Sequence, residues 1–129
     1  MKFLELYENF KKLFPEDASE FKKYEEETGA DDPKLVHVCF GSVVCPYVYD
    51  LLRSKNKEKL KKAFAFFEKM ANDSDYDVQG VLQCSVIENL TDDDILFKES
   101  IPYMGPMTKK FVNQVASYMD IEPIYEAYH

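Results

Sequence analysis

Apolar residues recur every three or four positions along most of this chain, the spacing that places side chains on one face of an α-helix. Phe3, Leu6, Tyr7, Phe10, Leu13 and Phe14 make the first such stripe. It predicts a helix over residues 2–14 that Pro15 stops. A second helix opens at Pro15, where Glu16 and Asp17 suit a helix N-terminus, and carries Ala18, Phe21 and Tyr24 to an end near Gly29. Glu25, Glu26 and Glu27 oppose the macrodipole at that end and are expected to be solvated.

Asp31, Asp32 and Pro33 read as a capped helix start. The next stretch is ambiguous. Residues 35–40 are rich in β-branched side chains, as a buried strand would be, whereas the distance from Pro33 to Leu52 suits a buried helix. The favoured reading is a helix broken or kinked at Gly41 or Pro46, with a strand over 35–44 as the alternative.

Leu60, Ala63, Phe64, Phe67, Met70 and Ala71 then follow the amphipathic pattern closely. After the turn Asn72-Asp73-Ser74-Asp75, apolar residues from Val78 to Leu90 cover more than one face, as in a helix packed between neighbours. Thr91 and the acids Asp92, Asp93 and Asp94 start a shorter helix with Ile95, Leu96 and Ile101. Pro106 opens another, striped by Met107, Phe111, Val115 and Tyr118 or Met119, and a short terminal helix is expected after Pro123 with Ile124, Tyr125 and Tyr128. The predicted fold is all-α: a single domain over residues 1–129, built as an irregular multi-helix bundle or a short HEAT-like stack of helical pairs.

Composition supports a packed core. Hydrophobic residues make up 46% of the chain, with ten Phe and nine Tyr, while four Gly and six Pro are too few for the turns of an all-β domain. The first residues are interrupted by acids and carry no secretory signal, so a cytoplasmic location is expected. No apolar run approaches the roughly 18 residues of a membrane span.

Charge is unevenly placed. Residues 53–62 carry a net +5, and the rest of the chain −13, for a total of −8. A mostly acidic surface repels phosphate backbones, which argues against nucleic acid as a partner, and attracts basic ones. The basic run lacks the interleaved aromatics of a nucleic-acid platform and reads as a solvated helix face or as a partner for acids elsewhere on the domain or on a second copy.

Little catalytic chemistry is written in the residues. Asp73, Asp75 and Asp77 alternate as in a calcium loop, but Val78 stands at the sixth position and Cys84 at the twelfth, so they read as a capping turn. Cys39, Cys45 and Cys84 sit in apolar segments and are expected to be reduced, buried core thiols without metal. His37 and Cys39 form a thiol–base pair only if the segment is a strand, because residues two apart on a helix point to different faces. Phosphate loops, nucleophile elbows and zinc motifs are absent, so neither a catalytic role nor a cofactor is expected. Glu68 and Glu88 lie among apolar neighbours; the plain expectation is that they face water, the alternative that they cap a neighbouring helix or pair with a cation.

Three stretches, 66–71, 81–90 and 103–108, resemble a group of small acidic bacterial helical proteins of unassigned function, which are similar in size, charge and class to immunity proteins of toxin–immunity systems. The resemblance implies a protein that binds and neutralises a cognate toxin, such as a basic nuclease domain, and makes the acidic clusters Asp73, Asp75, Asp77 and Asp92, Asp93, Asp94 the expected contact residues. A helical adaptor or regulatory protein-binding module is the alternative from another class.

Overall fold

The computed structural model describes residues 1–119, and every regular element among them is helical. The stripe of the first helix explains why the chain closes on itself. A short 3₁₀ turn, Phe3–Glu5, leads into α1, Leu6–Lys12, which buries Leu6, Tyr7 and Phe10. Phe10 lies at the centre of an aromatic cluster: its ring centroid is 5.3 Å from Phe14, 6.2 Å from Phe21, 6.0 Å from Phe40, 6.3 Å from Tyr47, 5.5 Å from Phe66 and 5.8 Å from Phe67. Those partners come from the helix Ala18–Thr28, from the helix over 36–54, from the helix Lys57–Ala71 and from the residues just after α1, so one side chain ties together elements far apart in sequence.

Helix α2, Ala18–Thr28, follows a 3₁₀ turn at Pro15–Asp17 and ends where Gly29 takes the left-handed conformation, φ 74°. Its stripe buries Phe21. Glu25 is not left to solvent as expected, because the Tyr7 hydroxyl and the Lys11 ammonium donate to its carboxylate at 2.6 and 2.9 Å. Tertiary partners convert an unfavourable helix end into a cross-link to α1.

The ambiguous stretch is helical. Helix α3 runs over 36–54 and starts later than Pro33, since Asp32 instead closes a turn by accepting from the Lys34 and Leu35 N–H groups. Neither Gly41 nor Pro46 breaks it. A wider π turn at Phe40–Val44, in which the Cys45 N–H bonds the Phe40 carbonyl, precedes Pro46 and carries the helix through the position where proline lacks a donor. The β-branched residues that suggested a strand are there because the helix is buried on several sides: Val43, Val44 and Val48 have no exposed surface. α3 packs on α1 and α2 and on each of the next three helices.

It ends at Lys55, the one non-glycine residue among those described with a positive φ, +56°. The Asn56 and Lys55 N–H groups bond the Leu51 and Leu52 carbonyls in a Schellman closure, a place where glycine is the usual occupant. Helix α4, Lys57–Ala71, begins at once, with the Asn56 side chain capping the Lys59 N–H.

Helix α5, 76–90, contains a second π stretch, Val81–Ile87, which faces that of α3. Gly41 permits the approach, for a Cβ there would lie 3.2 Å from the Asn89 amide nitrogen. The Ser85 carbonyl, loosened from the α-helical ladder, accepts from the Asn89 amide at 2.8 Å and the Cys45 thiol at 3.4 Å. Helix α6, Asp94–Ser100, packs on α3, and α7, Pro106–Met119, packs on α4 and α5. The stripe expected around Ile121, Ile124, Tyr125 and Tyr128 lies outside the described residues.

Replacing Phe10 with Ala removes the ring that α1 to α4 share and is expected to cost about 3–5 kcal/mol. A domain of this size is stable by only about 5–15 kcal/mol in total. Urea unfolding followed by circular dichroism checks this; a loss below about 1 kcal/mol would mean the cluster closes without it.

Candidate functional site

The acidic clusters sit at helix starts, and the structure divides each into capping and exposed members. Asp73 accepts from the Asp75 N–H at 2.9 Å and pairs with the N-terminal ammonium at 2.8 Å, whose hydrogen bond holds its carboxyl below the usual range. Asp75 caps α5 by accepting from the Asp77 N–H at 2.9 Å, and Asp93 caps α6 by accepting from the Leu96 N–H at 3.0 Å. Asp77, Asp92 and Asp94 are exposed, with Asp94 making only a surface pair with Lys98 at 3.2 Å. The two clusters stand at opposite ends of α5, roughly 20 Å apart by helical rise. They do not form one site, and among the described residues no group of acids, histidines and cysteines could hold a metal ion.

Two of the exposed acids, Asp77 and Asp94, are preceded or followed in the chain by an apolar residue that is also exposed. Tyr76, beside Asp77, is 83% exposed, and Ile95, beside Asp94, is 71% exposed; no other large apolar side chain among the described residues is as open. Exposed single hydrophobics are ordinary on a protein surface. Sequence periodicity left Tyr76 off the stripe but counted Ile95 among the apolar residues of its helix, and the structure instead leaves Ile95 open.

The thiols separate. Cys39 and Cys45 are buried, and burial pushes the Cys39 thiol up to about 11 and raises that of Cys45 further, so neither is a ready nucleophile. Cys84 is exposed, contrary to the expectation for all three, because it falls on the outer side of α5 while Ser85, Val86 and Ile87 face inward. His37 makes no pair with Cys39, whose thiol donates to the Asp32 carbonyl. Instead its Nδ1 lies 2.7 Å from the Ser85 hydroxyl, joining α3 to α5 beside the π stretches.

Glu68 overturns the solvated reading. The residue before α7 is Gly105, which has no side chain to cap the helix, and Pro106 has no N–H. The next two donors, Met107 N–H and Thr108 N–H, both bond the Glu68 carboxylate from α4, at 3.1 and 2.9 Å, and the Thr108 hydroxyl adds a third bond at 2.9 Å. A Cβ on Gly105 would meet Glu68 Cδ at 2.4 Å. Stretches 66–71 and 103–108 are therefore two halves of one capping site. Glu88 is half-buried and accepts from the Tyr118 hydroxyl at 3.0 Å, tying α5 to α7. Both acids serve the fold.

A family model described as a domain of unknown function, DUF7674, matches residues 7–120, and the chain belongs to that family. No curated protein and no solved structure matches the chain. Among the described residues no helix is long and apolar enough to cross a membrane.

Two outcomes are expected from this geometry. Glu68→Ala and Gly105→Ala should each cost about 1–2 kcal/mol, the usual worth of a cap, and the double variant should lose clearly less than the sum, since both remove the same contact; additive losses in urea unfolding would mean the cap contributes nothing. Brief treatment of the native protein with iodoacetamide should modify Cys84 alone, read by peptide mass, with Cys39 and Cys45 reacting only after unfolding.

Proposed function

We propose that this DUF7674 member is an immunity, antitoxin-like protein that binds and neutralises a cognate bacterial toxin through a basic face of the toxin, acting in the cytoplasm by binding rather than by catalysis. The observation that carries the reading is that exposed Tyr76 stands next to exposed Asp77 in the chain, and exposed Ile95 next to exposed Asp94 with Asp92 exposed at the same helix start. Carboxylates on a chain of net charge −8 steer a cationic partner toward the surface, and apolar anchors hold it once water is expelled. The capping acids Asp73, Asp75 and Asp93 hold the same helix starts in place, so the anchors are presented by ordered backbone. A nuclease domain, basic because its own substrate is polyanionic, is the kind of toxin such a surface suits.

The test is co-expression with the product of the adjacent gene, followed by binding kinetics on the purified pair. Growth rescue is expected, with association slowing by on the order of tenfold as salt rises from low to physiological ionic strength and beyond. The triple change Asp77→Asn, Asp92→Asn, Asp94→Asn should slow association and leave unfolding unchanged, because the caps are intact. Tyr76→Ala and Ile95→Ala should instead speed dissociation. A neighbouring product that is harmless, or that the protein neither binds nor neutralises, would leave the adaptor reading in its place.

A further inference from the structure

A cleft of about 320 Å³ opens between the end of α3, the start of α4 and the segment after α6, lined by Leu52, Lys55, Lys57, Leu60, Pro102 and Tyr103, with Glu99 also at its wall. Its floor is apolar, for Leu52 and Leu60 are almost wholly buried. Its rim carries two cations against the single acid Glu99: Lys55 and Lys57 are exposed and make no ion pair among the described residues, whereas Lys59 is taken up by Asp17 at 2.6 Å and Arg53 lies 3.5 Å from Asp50.

Both rim lysines stand where the backbone disfavours them. Lys55 occupies the left-handed closure of α3, a position for glycine. Lys57 is the first residue of α4, where a positive charge opposes the helix dipole and an acid is the stabilising choice. Two local rules are broken side by side at the mouth of one cleft, the pattern of a site kept for a ligand at the expense of stability.

We propose that this cleft binds a small amphiphilic anion, a carboxylate with a short apolar chain. The head group sits between Lys55 and Lys57 at the start of α4, and the chain lies on Leu52, Leu60 and Tyr103. Volume and lining match those of small-molecule sites, which are mostly apolar with a few placed charges. The site is independent of the acidic helix starts and of any toxin.

Octanoate is the probe, titrated into the full chain and followed by two-dimensional NMR, with octanol and acetate as controls lacking the charge or the chain. Saturable shifts confined to residues around Leu52, Lys55, Leu60 and Tyr103 are expected, with octanol and acetate each at least tenfold weaker. Lys55→Gly relieves the backbone and should raise the melting temperature, yet together with Lys57→Gln it should weaken octanoate at least tenfold. Equal binding by the double variant, equal binding of octanol, shifts centred elsewhere, or no saturable shift would each overturn the proposal.

Discussion

The aromatic cluster around Phe10 is the constraint on which the rest of the structure depends. Its rings come from α1, α2, α3 and α4 and from the residues just after α1, and none of these short helices has enough apolar surface to stand alone. Burying six rings around a seventh supplies the apolar contact that isolated helices lack. The hydroxyls of the flanking tyrosines then find acids at the edge, Tyr7 on Glu25, Tyr24 on Asp50 and Tyr47 on Asp17, so the cluster closes without stranded polar groups.

The remaining helices are attached by polar satisfaction as much as by apolar contact. α7 needs a cap that its own sequence does not supply, and Glu68 provides one from α4. In the π stretch of α5 the Ser85 carbonyl accepts from the Asn89 side chain of the same helix and from the Cys45 thiol across the α3–α5 seam, and the Tyr49 hydroxyl crosses the seam to the Asn89 carbonyl at the end of α5. Close approach there depends on Gly41, as the α7 cap depends on Gly105. Each glycine marks a place where one helix must come within reach of another.

Charge is divided by role. Acids inside the fold, Asp17, Glu25 and Glu68, are bound by hydroxyls, lysines or backbone donors. Burial alone would raise the Asp17 carboxyl, but the Lys59 and Tyr47 hydrogen bonds outweigh it and hold the group ionised at lower pH. Acids at the α5 and α6 starts do double duty, one member capping and the next exposed beside an apolar anchor. The lysines at the α3–α4 junction are the reverse case, set against the local backbone preference and lining an apolar cleft.

The stripes Phe3 to Phe14, Leu60 to Ala71 and Val78 to Leu90 were legible because helical period and capping chemistry are local, and they determined an all-α chain with a turn near Asn72 and a break near Thr91. The same local rules marked Asp75 within a capping turn, but placed the cap of the short helix at Thr91, where the structure gives it to Asp93. Residues 35–44 favoured a helix by length but left a strand open, since β-branched side chains serve a buried helix and a buried strand alike; the structure makes 36–44 helical without the break expected at Gly41 or Pro46, because a π turn carries the helix through. Glu68 shows the limit most clearly. Its partners lie about forty positions away, and a carboxylate on an amphipathic helix reads as solvated until the fold brings Gly105 against it. Cys84 and the anchors Tyr76 and Ile95 follow the same logic in reverse, for which neighbour covers a residue is decided by non-local contact. Sequence by itself determined the helices, their caps and the net charge; tertiary structure decided which acids are bound, which apolar residues are left open and where the lysines meet a cleft, because each of those depends on chain segments that meet only after folding.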